Sequence, residues 1–144
     1  TINSIGYDVK EKKILDPFNG IDDLKNSLLR AVDLEKFIED PLRVLRAIQF
    51  SARFKLRLDE ALFSLCFKMI QENILDELPS ERIYTELQKL LLKSKKPSMG
   101  LFLAKELGIS EYFGEYLSFE EIDYFALHKT DSDKNNILIF LALL

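Results

Sequence analysis

The sequence has very little of what builds disulfide-linked, metal-linked or membrane-embedded folds. Its 144 residues include one cysteine, one histidine and no tryptophan. A lone Cys66 excludes an intramolecular disulfide, and one histidine with one cysteine are too few ligands for a zinc site. The longest apolar run, residues 137–144, is too short to span a bilayer, and no N-terminal signal peptide is visible. These absences predict a cytoplasmic protein without a membrane segment or a metal site of its own.

Glycine and proline are scarce as well, whereas 47% of the residues are hydrophobic and 31% are charged. This balance is typical of a globular, mostly helical protein and excludes a disordered chain. The net charge of −4 does not exclude RNA as a partner, because basic side chains can be clustered within an acidic total.

Hydrophobic periodicity, caps and turn residues predict a mainly α chain that begins with a short β-hairpin. The first predicted elements are a hairpin over 1–18 with its turn at 10–13, a turn at 16–20, a helix over 21–30, a link over 31–38 and a central helix over 39–57. They are followed by a helix capped by Asp59, a short turn at 75–78, a helix over 80–93 capped by Ser80, and a helix over 97–107 stopped by Gly108. The last are a helix over 119–128, with Ser118 and Glu121 as a capping box, and an apolar helix from 137. Cys66 and Phe67 fall on the inward face of the helix after Asp59, which indicates packing rather than a nucleophilic cysteine. The apolar helix from 137 is a candidate oligomer contact.

The central stretch, residues 39–57 (EDPLRVLRAIQFSARFKLR), carries the pattern that points to a ligand. Asp40 ahead of Pro41 suits a helix start, because proline fixes φ and the carboxylate can accept from exposed amides. At about 100° per residue, an inward apolar face lies beside a polar stripe. The inward face consists of Leu42, Leu45, Ile48, Ala52 and Leu56. The stripe consists of Glu39, Arg43, Arg46, Phe50, Arg53 and Arg57, with Asp40 at its edge.

Two interpretations of this stripe stay open. In the first, Asp40 is only a cap and the arginines are only a solvated face, as most charge runs are. In the second, the stripe binds a ligand, because planar guanidinium forks suit phosphates and bases, and Asp40 and Arg43 are one helical turn apart. A carboxylate that accepts from an exocyclic amino group, beside a guanidinium that donates to a ring nitrogen, fits cytosine or adenine and opposes uracil or guanine. The second interpretation predicts a site that selects C or A.

Four stretches, in this order, resemble motifs of the class II CCA-adding tRNA nucleotidyltransferases and the related bacterial poly(A) polymerases. Residues 1–8 (TINSIGYD) resemble the segment after the family's Arg-Arg-Asp motif, and residues 16–30 (DPFNGIDDLKNSLLR) resemble its flexible Asp-x-x-Gly-Gly-x-x-Asp-Leu segment. Residues 39–54 resemble its nucleobase-reading motif, and residues 81–91 (ERIYTELQKLL) resemble its Glu-Arg helix. The resemblance reaches to about Tyr116. Asn19 stands where the family more often has a glycine.

The resemblance implies a domain layout. In the family, a head domain that precedes these motifs holds Mg²⁺ ions with two carboxylates, so we expect this sequence to be a C-terminal part of a larger enzyme that is inactive in transfer by itself. The layout expected here is the tail end of the head over 1–19, with the hairpin as its residual strands, a neck over 20–96 and the start of a helical body over 97–144.

The resemblance also implies roles for single residues, none of them catalytic. The nucleobase is expected to bind Asp40 and Arg43. Phosphate or RNA is expected to contact Arg46, Arg53, Arg57 and Asn3. A supporting role is expected for Glu39, Asp16 and Asp23. In the Glu-Arg helix, the charges are expected to brace neighbouring helices; they are Glu81, Arg82 and Glu86.

The implied function is the addition of C and A nucleotides to the 3′ end of tRNA, with tRNA, ATP and CTP as partners. A poly(A) polymerase or an A-only adding enzyme stays open, because the same pair of residues would serve each. A catalytically silent helical module that binds RNA also stays open.

Overall fold

A computed structural model describes residues 1–109, and helices make up most of this part of the chain. The strands are β1 (Gly6–Asp8), β2 (Lys13–Leu15), β3 (Leu28–Leu29) and β4 (Arg57–Leu58). The helices are α1 (Gly20–Lys25), α2 (Leu34–Ile38), α3 (Leu42–Phe54), α4 (Glu60–Gln71), α5 (Ser80–Lys93) and α6 (Pro97–Glu106), with 3-10 turns at Ile2–Ser4 and Ile74–Glu77. The mainly α fold is confirmed, whereas the helices predicted at 119–128 and from 137 lie outside the described residues.

The predicted hairpin is confirmed, with β1 and β2 antiparallel and Tyr7 opposite Ile14. Its polar turn is held by Asp8, whose Oδ1 accepts from the amides of Lys10 and Glu11 at 2.9 and 3.0 Å. Hydrogen bonds between a side chain and nearby backbone amides are local, so a turn of this kind can be predicted from the sequence.

The turn at 16–20 is confirmed too, and it orients the start of α1. Asn19 adopts the left-handed conformation, with φ of 56°, which asparagine tolerates better than most residues. Asp16 accepts from the amides of Gly20 and Ile21 at 2.7 and 2.9 Å. A Cβ on Gly20 would lie 2.9 Å from the carbonyl oxygen of Thr1, so this glycine permits a close approach of two backbone segments.

The helix predicted over 21–30 is wrong in length, because α1 ends at Lys25. The Asn26 side chain donates to the carbonyl of Asp22 at 2.9 Å, and Ser27 turns the chain with a φ of 54°. The next residues form β3, which runs parallel to β4 and pairs Leu28 with Arg57. The central helix is also shorter than predicted: α3 ends at Phe54, where Lys55 takes a left-handed conformation, so Arg57 lies on a strand and not on the helical stripe.

The segment predicted as a link over 31–38 contains helix α2. Asp33 caps α2 by accepting from the amide of Lys36 at 3.1 Å. Glu39 closes α2 and precedes α3, so it is not part of the helical stripe either. The predicted inward face is confirmed, since its four residues in α3 are buried and Leu56, just after the helix, is buried as well.

Helices α3, α5 and α6 pack around this buried face. Near the start of both helices, Asp40 contacts Arg82 of α5. At the other end, the amide of Lys96, just after α5, donates to the carbonyl of Ala52 in the last turn of α3 at 3.3 Å. Because these two contacts join start to start and end to end, α3 and α5 run in the same direction. Gly100 of α6 fits between them, because a Cβ there would lie 2.4 Å from Leu90 Cδ1.

The remaining elements follow the predictions in most respects. Asp59 caps α4 by accepting from the amide of Leu62 at 3.1 Å, and Cys66 is fully buried. Phe67 was predicted to face inward, but 43% of it is exposed, because the helix turns it away from the core that Cys66 enters. Ser80 is the first residue of α5 and its side chain makes no capping bond, since Pro79 occupies the cap position. Gly108 has the expected positive φ, 84°, after α6.

No helix within residues 1–109 has the length and apolar character needed to cross a membrane. The predicted domain boundaries after residues 19 and 96 stay predictions.

Candidate functional site

An open cleft of about 220 Å³ lies where the N-terminal 3-10 turn, the segment after β3 and helix α3 meet. Its walls combine guanidinium groups with apolar and aromatic side chains, a lining suited to a flat, polar-edged ligand. The lining residues are Thr1, Ile2, Asn3, Leu29, Arg30, Ala31, Phe37, Arg43, Arg46, Ala47, Phe50 and Leu62.

Arg43 projects into this cleft from the first turn of α3. Its Nη1 donates to the carbonyl of Lys36 at the end of α2, which anchors one edge of the guanidinium. Hydrogen bonds from Nε and Nη2 are absent within residues 1–109, so these donors remain available. The helix N-terminus and α2 together therefore hold a guanidinium with a free donor edge.

Asp40 lies just before the same helix, but it is not among the residues that line the cleft. Its Oδ1 accepts from the amide of Leu42 at 3.2 Å and lies 3.4 Å from Nη2 of Arg82. Asp40 therefore binds an exposed amide as predicted, although Pro41 occupies the cap position itself. Its Oδ2 has no hydrogen bond among the described residues. One carboxylate oxygen thus fixes the side chain while the other remains an acceptor.

Arg82 makes the contact expected of the Glu-Arg helix, because it joins α5 to the start of α3. The pair is partly exposed, so it contributes orientation more than stability. Glu86, by contrast, is buried and pairs with Lys89 of its own helix at 2.7 Å, so it does not bridge to another helix through that bond.

Arg30 is a cleft residue that sequence reasoning missed. Its Nε and Nη2 both donate to Oδ2 of Asp23 at 3.1 Å, and Asp23, only 7% exposed, also accepts from the Thr1 hydroxyl at 2.6 Å. In one continuous helix, side chains seven positions apart would be separated by about 10 Å along the axis. The contact between Arg30 and Asp23 forms because α1 ends early and the chain turns back into β3. No local sequence pattern predicts this turn.

The other predicted site residues separate into two groups. Asn3 and Arg46 line the cleft, whereas Arg53 and Arg57 lie outside it. Asp16 binds the amide end of α1 and Glu39 is exposed beyond the cleft lining, so neither reaches the cleft. Within residues 1–109 no three histidine, cysteine, aspartate or glutamate side chains come together as metal ligands.

Comparison with known proteins gives consistent relatives. A family model described as "Probable RNA and SrmB- binding site of polymerase A" matches residues 55–120. The CCA-adding enzyme of Ligilactobacillus salivarius is 44% identical over 115 residues, covering 74% of this chain and 26% of that protein. This chain therefore spans about a quarter of the length of the curated relatives it matches.

Solved structures agree. A CCA-adding enzyme in complex with CTP is 27% identical, with a TM-score of 0.73, over 86% of this chain and 30% of that one. A tRNA nucleotidyltransferase complexed with a primer tRNA and an incoming ATP analog is 25% identical, with a TM-score of 0.74, over 92% of this chain and 42% of that one. The four ordered motifs, the shared fold and the level of identity lead to one conclusion: this chain belongs to the CCA-adding enzyme family.

Proposed function

We propose that this chain selects the nucleobase and binds RNA within an enzyme that adds C and A nucleotides to the 3′ end of tRNA. Its relatives include a CCA-adding enzyme with CTP and a nucleotidyltransferase with primer tRNA and an ATP analog. The observation that carries the proposal is that Asp40 and Arg43, one helical turn apart at the start of α3, each keep polar atoms without a hydrogen bond among residues 1–109: Oδ2 of Asp40, and Nε and Nη2 of Arg43.

The hydrogen-bond pattern of that pair matches two bases and opposes the other two. Oδ2 of Asp40 accepts from the exocyclic amino group of cytosine or adenine, and Arg43 donates to the adjacent ring nitrogen. Uracil and guanine present a carbonyl and a ring N–H in these places, so acceptor would face acceptor and donor would face donor. Discrimination of this kind is worth roughly 1–3 kcal/mol per bidentate contact.

The cationic side chains of the cleft suit the rest of a nucleotide. Arg30, Arg43 and Arg46 line the cleft together with Asn3, and planar guanidiniums bind phosphate oxygens in forked pairs. The buried carboxylate of Asp23 fixes the direction of Arg30. Arg30 and Arg46 would position the triphosphate while Asp40 and Arg43 read the base.

The proposal for the described residues ends at selection and binding. Enzymes that transfer nucleotides use metal ions to neutralise developing charge on phosphate oxygens. We assign the described residues no step of bond formation.

Equilibrium titration of the whole chain with each of ATP, CTP, GTP and UTP tests base selection. We expect CTP and ATP to bind at least about tenfold more tightly than UTP and GTP. Asp40→Asn keeps the shape of the side chain and removes its charge. It should reduce the difference in affinity between CTP or ATP and UTP or GTP, because the asparagine amide can also donate to the carbonyl of uracil or guanine. Equal binding of all four nucleotides by the natural chain would contradict the proposal.

The family model's description names polymerase A, so the reaction of the full-length protein needs its own test. On tRNA that lacks its terminal CCA, incorporation of both CMP and AMP supports CCA addition. Incorporation of AMP alone, repeated along the strand, would support a poly(A) polymerase instead.

A further inference from the structure

Four side chains of α3 form a continuous series of contacts, here called the Arg–Phe row: Arg46, Phe50, Phe54 and Arg53. Cζ of Arg46 lies 5.8 Å from the centre of the Phe50 ring, and Cζ of Arg53 lies 5.2 Å from that of Phe54. The two rings meet edge to face, with centres 5.7 Å apart and an interplanar angle of 67°. The two rings thus contact each other, and each has a guanidinium over it, on one side of the helix.

The row starts in the cleft and leads out of it. Arg46 and Phe50 line the cleft, whereas Phe54 and Arg53 lie beyond it, and 40% of Phe54 is exposed. The opposite side of α3 is the buried face. The exposed aromatic ring is therefore not an extension of the hydrophobic core.

The charges of the row are uncompensated. Within residues 1–109, neither Arg46 nor Arg53 takes part in an ion pair, and the same holds for Lys55 and Arg57 next to them. No acidic residue occurs between Arg43 and Arg57, although the chain as a whole has a net charge of −4. Unpaired arginines concentrated on one side of an acidic protein favour a polyanion as the ligand.

We propose that the Arg–Phe row binds the single-stranded end of an RNA by base stacking and leads its last bases towards the cleft. The proposal rests on the proposed function and adds a binding surface to it. Phenylalanine rings and guanidinium planes both stack on bases, and single-stranded RNA is recognised mainly through unstacked bases of this kind. Each guanidinium lies over a ring, Arg46 over Phe50 and Arg53 over Phe54, and in the proposed complex its N–H groups would bind a phosphate.

The arrangement favours RNA over a protein partner. A protein surface that docked on Phe54 alone would need apolar groups, yet both rings are flanked by unpaired cations. A single strand satisfies both features, because its bases and phosphates alternate at each nucleotide. Its terminal nucleotide would then lie next to the cleft that contains Arg43.

Binding of a short single-stranded RNA ending in CCA to the whole chain tests the row, with 2-aminopurine in place of one adenine. Stacking on a ring quenches the fluorescence of this base, and charge attraction alone does not. Phe54→Leu keeps an apolar side chain but removes the aromatic face. We expect it to weaken binding about tenfold and to remove the quenching.

Three comparisons make the result specific. Phe54→Tyr keeps a stacking ring and should retain both the RNA affinity and the fluorescence quenching of the natural chain. Phe67→Leu changes a similarly exposed phenylalanine of α4 outside the row and should change neither signal. Arg53→Gln should lower the slope of log affinity against log salt by about 0.7, the value for one lost phosphate contact on a single strand.

The outcomes separate this inference from the proposed function. If the natural chain discriminates among nucleotides and binds the RNA, but Phe54→Leu binds it with equal affinity and equal quenching, the row is not a binding surface and only this inference fails. If the natural chain binds neither RNA nor nucleotide, both proposals fail. If Phe54→Leu instead abolishes self-association in sedimentation while RNA binding is unchanged, the row is a contact between copies of the chain and the inference is wrong.

Discussion

Oδ1 of Asp40, at the start of α3, lies 3.4 Å from Nη2 of Arg82, 42 positions later on α5. The same oxygen accepts from the amide of Leu42 at 3.2 Å. Two donors from two helices thus hold the carboxylate through one atom, and Oδ2 stays an acceptor. This contact connects the proposed base-reading acid with the region that the RNA-binding family model matches, residues 55–120.

Arg82→Gln should change base selection more than stability. Both partners are partly exposed, so loss of the pair should lower the free energy of unfolding by less than about 1 kcal/mol. Asp40 would then rotate more freely, and the ratio of CTP to UTP affinity should fall. Titration with the two nucleotides and thermal unfolding measure both effects. Lys89→Gln, which breaks an ion pair within α5, is the matched control; a similar loss of selection in both variants would contradict the assignment.

Arg43→Ala should weaken CTP and ATP binding by roughly 10- to 100-fold, because it removes the donor to the ring nitrogen. Arg57→Ala should change nucleotide affinity less than about threefold, since Arg57 lies on β4 outside the cleft and a single exposed charge acts weakly. Titration of each variant with all four nucleotides compares them. Equal losses of nucleotide affinity in the two variants would mean that both arginines act only by general electrostatic attraction.

The thiol of Cys66 should be unreactive in the folded protein and should make stability fall at high pH. Burial, with a smaller effect from the negative charge of Asp59, raises the pKa of the Cys66 thiol from 9.0 to about 12. Between these values the unfolded chain releases the proton and the folded chain keeps it. The free energy of unfolding therefore falls as pH rises above 9.0, by up to about 1.4 kcal/mol per pH unit, and this loss is absent at lower pH.

Urea unfolding at a series of pH values measures that slope, and Cys66→Ala should flatten it relative to the natural chain. Because both proteins carry the same lysines and tyrosines, their difference isolates the thiol. Labelling with an aromatic disulfide at pH 8 should be slow for the folded protein and fast in urea. Rapid labelling without urea would contradict the burial of Cys66.

Gly100→Ala should destabilise the packing of α3, α5 and α6 by about 1–3 kcal/mol. Its Cβ would lie 2.4 Å from Leu90 Cδ1, which can move, but also 2.9 Å from Ala52 Cβ, which is fixed on a helix. Gly6→Ala is the matched control, because its nearest neighbour would be 3.8 Å away. Urea unfolding measures the free energy of unfolding of both variants. Equal values would contradict the prediction, because the helices would then accommodate the added methyl group without strain.

Much of the fold was predictable wherever a feature depends on neighbours within about four residues. Asp59 accepts from Leu62, and Asp8 closes its own turn, so capping and turn rules apply directly. The inward face of α3 follows from a spacing of 3.6 residues. Phe67 shows the limit of that rule, because the core accepts only part of the apolar surface that α4 offers.

Two errors of prediction, the lengths of α1 and α3, have a common cause in contacts between distant residues. The early ends of α1 and α3 go with the pairing of Leu28 and Arg57, whose positions in the sequence are far apart. That pairing takes Arg57 out of the helical stripe and brings Arg30 to the cleft. Backbone bonds of β3 to β4 compete with helix extension, and no local signal reports them.

The sequence alone determined the mainly helical class, the hairpin, the cap at Asp59 and the neighbouring Asp40 and Arg43, because each depends on chemistry within one or two turns of the chain. The tertiary structure decided which cations share a cleft, which carboxylate Arg82 holds, and that Phe50 and Phe54 continue a series of contacts outward. These depend on where the packing of α3 against α5 and the parallel pairing of β3 with β4 place residues that are remote in sequence.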